Sequence, residues 1–486
     1  MTTPRDTAGL LDALRAALGP VGVLTPSPDD PLERYQLDWR RRYQGQALAV
    51  VRPADAAEVS TVVQLCARHG VSLVPQGGNT SLVGGSVPDQ SGTQIVLNLS
   101  RLNKVLDVDP ANLSMTVQAG CLLADVQAAA DHAGLLFPLT LASQGSCTIG
   151  GNLASNAGGT QVLRYGTARE LCLGLELVTP QGHIWHGLQG LRKDNTGYDL
   201  RHLMVGSEGT LGVITAATLR LFPRPRGQAT ALLACADLDA ALAVLQAARD
   251  ALDAGLTACE LMGRLPLELV RQHHPDVASV LVQAGQAPGT ELPAWAVLIE
   301  HTSCESDAHA LERLGALLED AMAKGHVSQV TLASNQTQRQ AMWHLRETIP
   351  LAERAHALMV KHDIGVPSSA IPHFVALCTQ AIADRWPQAR VVCFGHMGDG
   401  NLHYNVQPPP ACAAGAELGV FDLQVNEMVF DHVARFGGTI SAEHGIGVLR
   451  RDELARRKSA VALSMMQAIK QALDPDGLMN PGRVLR

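Results

Sequence analysis

The chain has 486 residues, of which 46% are hydrophobic and 17% charged, against roughly a quarter charged in an ordinary globular protein. A chain of this length and polarity buries a large core without staples, which excludes intrinsic disorder, a collagen-like repeat and a small disulfide scaffold. With 38 Lys+Arg against 46 Asp+Glu the net charge is −8, so no broad basic face is on offer to a phosphate backbone and nucleic acid is excluded as a partner.

In chain order, residues 1–20 place Leu10, Leu11, Leu14 and Leu18 at helical spacing, interrupted by Asp6, Asp12 and Arg15. That predicts an amphipathic helix rather than a secretory signal. No run of about eighteen apolar residues occurs, so no membrane-spanning helix is expected. The ten cysteines are scattered without a CxxC; they read as reduced, mostly buried thiols of a cytoplasmic protein, with a peripheral place at the inner membrane left open. A strand is expected over 47–51, a helix capped by Asp55 and ended by Gly70, then strands over 71–74, 94–99, 104–108 and 113–118. A helix over 122–132 and strands over 173–179 and 211–222 complete the first half.

Pro223-Arg224-Pro225-Arg226-Gly227 is the clearest boundary, because proline at alternate positions stops regular structure between two patterned flanks. After it, strands over 229–234, 256–262 and 295–301 alternate with helices over 238–252 and 308–323, the pattern of helices on one face of a mostly antiparallel sheet. Helices over 368–384, 421–436 and 461–473 close the chain. The domain reading is an N-terminal helical segment (1–45), a cofactor domain (46–226) and a substrate and metal domain (227–486), in an α+β fold.

Three small-residue clusters carry the first chemical signal. They are Pro75-Gln76-Gly77-Gly78-Asn79-Thr80-Ser81-Leu82-Val83-Gly84-Gly85, then 143–159, which includes Gly150-Gly151-Asn152, and Gly206-Ser207-Glu208-Gly209-Thr210-Leu211-Gly212. Paired glycines let several backbone N–H groups approach an anion with no Cβ in the way. One such loop alone fits a surface turn equally well, but three beside strand and helix ends favour a long ligand held by backbone groups. Neither GxGxxG nor a Walker motif is present, so a Rossmann or P-loop site is not supported.

These clusters, with Arg192-Lys193-Asp194-Asn195-Thr196-Gly197-Tyr198-Asp199-Leu200, resemble the PCMH-type FAD-binding domain of the vanillyl-alcohol-oxidase family. More narrowly the chain resembles the FAD-linked 2-hydroxy acid dehydrogenases, whose members act on 2-hydroxyglutarate, lactate and glycolate. The likeness runs from about Gln46 to the C-terminus. It implies a two-subdomain FAD-binding domain, a ferredoxin-like substrate or cap sheet, and a C-terminal helical segment. It also implies that Pro75, Gly77, Gly78, Asn79, Thr80, Gly84, Gly85, Ser86, Pro138, Gly145, Thr148, Gly150, Gly151, Asn156, Gly158, Glu208, Gly209, Gly212, Ile214 and Asn480 contact FAD. No histidine stands in the 75–86 loop, so the FAD is expected to be non-covalent.

The second signal is Gly395-His396-Met397-Gly398-Asp399-Gly400-Asn401-Leu402-His403-Tyr404-Asn405. Asp399-Gly400 between two β-prone runs predicts a two-residue hairpin. His396 would then stand directly opposite His403, both on one face with Asn405, with Met397 and Leu402 on the other. Two converging imidazoles form a metal pair, and Ser441-Ala442-Glu443-His444-Gly445-Ile446-Gly447 offers a third ligand. Neighbouring side chains pointing apart would leave Glu443 for the metal and His444 for another task. Two His and one Glu suit zinc, with manganese or iron as alternatives.

The resemblance divides these roles. It implies that His396, His403 and Glu443 are metal ligands, His444 the catalytic base, and Arg346, Lys361 and Asn405 the substrate contacts. Pro350 departs from the family pattern, standing where hydroxyglutarate enzymes offer a hydroxyl, which leaves the substrate's tail group open. The expected reaction is oxidation of a D-2-hydroxy acid to the 2-oxo acid by metal-assisted proton abstraction and hydride transfer to FAD. Its electrons would leave to an electron-transfer flavoprotein, quinone or oxygen, and the chain could act as a homodimer. Alternatives are a glycolate-oxidase-type catalytic subunit of a larger complex, a non-catalytic flavin subunit, or a metal-dependent hydrolase.

Overall fold

Helical spacing of leucines shapes the first element: Thr7–Leu18 is a helix that buries Leu10, Leu14 and Leu18. The computed structural model describes residues 7–283 and 291–486, so Asp6 lies outside the described residues. Ala47–Val51 follows as a strand, and the Asp55 carboxylate accepts the Glu58 N–H at 2.8 Å to cap the Ala56–Arg68 helix. Such a cap is worth about 1 kcal/mol. Val59, Val62 and Val63 on that helix are fully buried.

The chain divides into two units. The first takes the described residues up to Gly159, with Gly166–Pro223 and Glu443–Arg486; the second takes Thr160–Tyr165 and Arg224–Ala442. Where the sequence reading runs its third segment unbroken from 227 to 486, the last 44 residues belong to the first unit (486 − 443 + 1). The reason is local: Leu73 N donates to Leu478 O at 2.9 Å and Asn480 N to Leu73 O at 2.8 Å, so the C-terminal chain runs beside the Leu73–Gln76 strand.

Two larger sheets build the first unit. One has the order Val23–Leu24, Ala47–Val51, Gln94–Asn98, Leu73–Gln76, its last three strands parallel. Parallel strands need a crossover, and Ala56–Arg68 supplies the one from Ala47–Val51 to Leu73–Gln76, which lie on either side of Gln94–Asn98. The other is antiparallel, in the order Val105–Asp109, Ser114–Gln118, Val213–Arg220, Cys172–Val178, Ile184–Gly187. The strand expected over 211–222 is shorter, because Phe222–Pro223 leaves this sheet and pairs with Leu135–Leu136.

The second unit is a seven-stranded antiparallel sheet in the order Gln329–Leu332, Gly227–Cys235, Trp295–Ser303, Leu256–Gly263, Arg390–His396, Asn401–Gln407, Asp363–Gly365. The expectation of helices on one face is corrected: both faces are covered. Leu238–Leu252, Asp307–Ala323, Ile371–Arg385 and Gly415–Arg435 share a core with Leu233, Val297 and Leu402. Arg264–His273 and Gln336–His356 share another with Met262, Leu298, Val392 and Phe394. The strands are apolar on both sides, and alternate residues therefore feed both cores.

Glu300 interrupts that apolar pattern at 2% exposure. It accepts from Trp343 Nε1 at 2.7 Å and from the Thr230 and Thr257 hydroxyls at 3.2 Å. Burial pushes its carboxyl above the usual range. A raised folded-state pKa means stability that is full below the unfolded value, roughly 4.3, and lost as pH rises through the folded one. Glu300→Gln copies the protonated form and does not titrate. Its thermal midpoint is therefore expected to exceed the parent's at pH 8, by roughly 2–4 °C per kcal/mol relieved, with the gap closing toward pH 5. A midpoint lower than the parent's by the same amount at every pH would contradict this.

Candidate active site

The first unit gathers the three glycine-rich clusters. Leu73–Gln76 ends in the 77–86 loop, where a Cβ on Gly77 would strike the Thr148 hydroxyl and one on Gly78 the Ser146 carbonyl oxygen. Only glycine lets these strands of backbone approach so closely. Gly209 sits against the Pro75 ring, with 3.1 Å from an ideal Cβ to Pro75 Cγ. Gly84 lies against the Tyr43 ring, and Gly85 O accepts from Asn480 Nδ2 at 2.9 Å. Gly150 N donates to Ala119 O at 2.7 Å at the start of the Ile149–Ala154 helix, which also holds Gly151. Pro138 and Gly158 are buried and Thr80 is half-buried. Gly212 approaches Val178 O, and Ile214 is buried in the next strand. Gly145 is exposed, with nothing near its Cβ position.

Some side chains expected to face a ligand hold the loops instead. Asn79 donates to Arg34 O and Leu37 O at 3.1 and 2.9 Å and accepts from the Ser86 hydroxyl at 2.8 Å. Asn156 accepts from the Thr167 hydroxyl at 2.8 Å and from Arg169 N at 3.0 Å. The Glu208 carboxylate accepts both Ile446 N and Gly447 N at 2.7 Å, fixing the backbone just after His444. Burial pushes Glu208 up, and the two amides pull the other way.

Among the described residues, seven buried side-chain polar atoms of this unit have no hydrogen-bond partner, four of them arginine Nε atoms; the other three, Thr148 Oγ1, Asn152 Nδ2 and Asn480 Oδ1, belong to or touch the glycine-rich loops. Each such atom costs about 1–3 kcal/mol unless a partner arrives. Two belong to the expected contact residues; Asn152 is added by the structure, although it stands inside the quoted Gly150-Gly151-Asn152 motif. Orphaned donors and acceptors beside a Cβ-free backbone are what phosphate oxygens and ring edges of a dinucleotide satisfy. The residues present therefore fit FAD.

The second unit presents His396, His403, Arg346, Lys361 and Asn405 around one end of its sheet. The expected two-residue hairpin is corrected. Met397–Gly400 forms a four-residue connection, and His396 pairs with Asn401 while His403 pairs with Phe394. The turn is widened from outside: Gly398 N donates to Cys259 O at 3.1 Å, and Arg249 Nη2 donates to Gly398 O at 2.7 Å. A two-residue shift preserves the face, so the imidazoles are diagonal neighbours with ring centres 5.7 Å apart. Leu402 packs in the opposite core, as does Met397.

Two buried acids that sequence reasoning missed organise this face. Glu260 Oε1 lies 2.8 Å from His396 Nδ1, and Oε2 accepts from Arg346 Nε at 2.9 Å. Glu353 accepts from Lys361 Nζ at 2.8 Å and from Asn405 Nδ2 at 2.7 Å. Both acids are 1% exposed. A lone Glu in the apolar Leu256–Gly263 strand was the available signal, since buried acids need partners. Arg346 also stacks over the Phe394 ring at 4.9 Å, and its Nη2 is buried with no hydrogen-bond partner. Glu443 and His444 do not point apart: His444 Nε2 lies 3.5 Å from Glu443 Oε1, in a bend where the alternation of a strand does not apply.

Comparison with known proteins accounts for most of this chain. A family model described as FAD binding domain matches residues 47–187, and one described as FAD linked oxidases, C-terminal domain, matches 224–484. A D-2-hydroxyglutarate dehydrogenase of Xanthomonas citri pv. viticola is 39% identical over 484 residues, covering 100% of this chain and 97% of that one. A mitochondrial D-2-hydroxyglutarate dehydrogenase of Arabidopsis thaliana is 35% identical, covering 93% of this chain and 78% of that one. In fold, p-cresol methylhydroxylase aligns with a TM-score of 0.77 at 17% identity, over 99% of this chain and 97% of that one. Among the described residues, no helix is long and apolar enough to cross a membrane. With both models matched in order, the chain belongs to the FAD-linked oxidase family and is an FAD-linked oxidoreductase.

Proposed function

We propose that the chain oxidises D-2-hydroxyglutarate, or a D-2-hydroxy acid of that class, to the 2-oxo acid. The observation that carries this reading is Arg346, a guanidinium buried to 5% exposure, held at Nε by Glu260 and lacking a partner at Nη2. A planar fork with an empty donor is a carboxylate receptor. Lys361, 28% exposed at its side chain and braced by Glu353, gives a second cation for a dicarboxylate. The relatives named for hydroxyglutarate support the same substrate.

The donor set of His396, His403 and Glu443 fits a divalent metal, zinc first. Chain connectivity supports Glu443 as the third ligand: Ala442 N donates to Asp363 O at 3.2 Å, and Asp363 pairs with His403. Bound there, a metal supplies a Lewis acid that lowers the pKa of the substrate hydroxyl. Bound FAD supplies the two-electron acceptor. The protein's own part is to bind the carboxylates through Arg346 and Lys361, orient the hydroxyl end with Asn405, and accept the hydroxyl proton at His444. Electrons then pass to an external acceptor such as an electron-transfer flavoprotein or quinone. On this reading the cofactor belongs to the first unit, Asn480 included, and the substrate cations Arg346 and Lys361 to the second. A cytoplasmic place accords with ten free thiols, eight of them buried, Cys66 among them with its pKa pushed up to about 12.

The test is anaerobic bleaching of the bound flavin by a panel of D-2-hydroxy acids. D-2-hydroxyglutarate is expected to bleach at lower concentration than D-lactate, because only a dicarboxylate engages both cations. Prior chelation should slow the bleaching without releasing FAD. A preference for D-lactate would transfer the reading to monocarboxylates, and a flavin that no hydroxy acid reduces would refute it.

A further inference from the structure

We propose that Glu260 is a positioning residue, a single buried carboxylate that orients His396 and Arg346 together. The proposal rests on the reading above, in which His396 ligates a metal and Arg346 binds a substrate carboxylate. Glu260 stands directly opposite His396 in the sheet register, between the buried neighbours Cys259 and Leu261. Its two oxygens face two different donors. Arg346 Nε carries a proton at any pH in reach, so Oε2 must accept it. Oε1 then accepts from His396 Nδ1, which places that ring's proton on Nδ1 and keeps the Nε2 lone pair for a metal.

The same bond fixes the arginine. With Nε held by Glu260 and the guanidinium laid over Phe394, the orientation of Nη2 is set before any ligand arrives. Phe394 also stands beside His403, with ring centres 4.9 Å apart. One acid thus couples the metal-facing ring to the substrate-facing fork. Glutamine cannot replace it, although its shape is the same. Its one oxygen can serve His396 or Arg346, and its NH₂ then meets either a second donor or a ring nitrogen forced into the wrong tautomer.

The experiment compares the holoenzyme with Glu260→Gln, Glu260→Asp and His396→Ala. It measures zinc retained under graded chelator, KM and kcat for D-2-hydroxyglutarate, flavin content and thermal midpoint. Glu260→Gln is expected to lose zinc at 10–100-fold lower chelator and to raise KM about tenfold or more, with FAD still bound. Glu260→Asp, which keeps two acceptors, should recover part of both. Unchanged zinc retention and KM in Glu260→Gln, while His396→Ala loses zinc, would overturn the proposal and leave the metal reading standing, even if the midpoint fell. Zinc retained by His396→Ala would remove the metal reading and the His396 half of this proposal, and the KM of Glu260→Gln would then decide the Arg346 half.

Discussion

Turnover of His444→Ala is expected to fall about 10²–10⁴-fold, the range over which a positioned general base acts, with FAD and metal still bound. The side chain is 22% exposed, and the loop just after it is held by the Glu208 carboxylate through the Ile446 and Gly447 amides, so its truncation is expected to leave the loop in place. That separates it from Arg346→Met, which would strand Glu260 in a dry interior and cost stability as well as activity, by about 3–5 kcal/mol. The measurement is the rate of anaerobic flavin reduction after rapid mixing with substrate, beside the visible spectrum of the resting protein. A slow reduction that exogenous imidazole accelerates would identify the missing step as proton removal. Reduction at the parent's rate would mean that another group takes the proton.

What could be read beforehand depended on how local the governing contacts are. The Ala56–Arg68 helix was legible because its cap, its apolar stripe and its terminating Gly70 all lie within sixteen residues. The glycine clusters were legible because close backbone approach leaves a compositional mark. The Gln336–His356 helix was not legible, although Asn335 caps it and Met342, Leu345, Ile349 and Ala352 form its buried stripe. Pro350 inside it reads as a break, and tertiary packing on the sheet overrides that signal. The hairpin at 397–400 failed for a related reason: Cys259 and Arg249, distant in sequence, set its width. The face shared by His396 and His403 survived because a shift of two residues conserves side-chain parity. Glu260 was missed as a functional group because its partners lie 86 and 136 residues away. Glu353 has Lys361 only eight residues on, but that pair reads as ordinary solvated charges until Asn405, 52 residues away, joins it.

Glu208 carries the other large expected effect, because replacing it should damage catalysis through a loop it does not belong to. It sits at φ +52°, a conformation that disfavours any side chain, yet its carboxylate takes both the Ile446 and Gly447 amides. Its own carbonyl accepts from Asn480 Nδ2 at 2.8 Å, so one residue pins the 443–447 turn and the C-terminal strand-like return. Glu208→Gly separates the two terms in this account. Glycine relieves the backbone strain, which taken alone raises stability, but leaves two amides without acceptors at about 1–3 kcal/mol each. The bonds outweigh the strain, so the variant is expected to melt lower than the parent. It should also lose about 10²-fold in kcat, the loss that a displacement near 1 Å produces in a positioned catalytic group. Glu208→Gln keeps one acceptor oxygen and should fall between the two. The decisive comparison is kcat against thermal midpoint across the pair. A glycine variant that melts higher than the parent and turns over normally would show that strain, not the clamp on the His444 loop, is what this residue contributes.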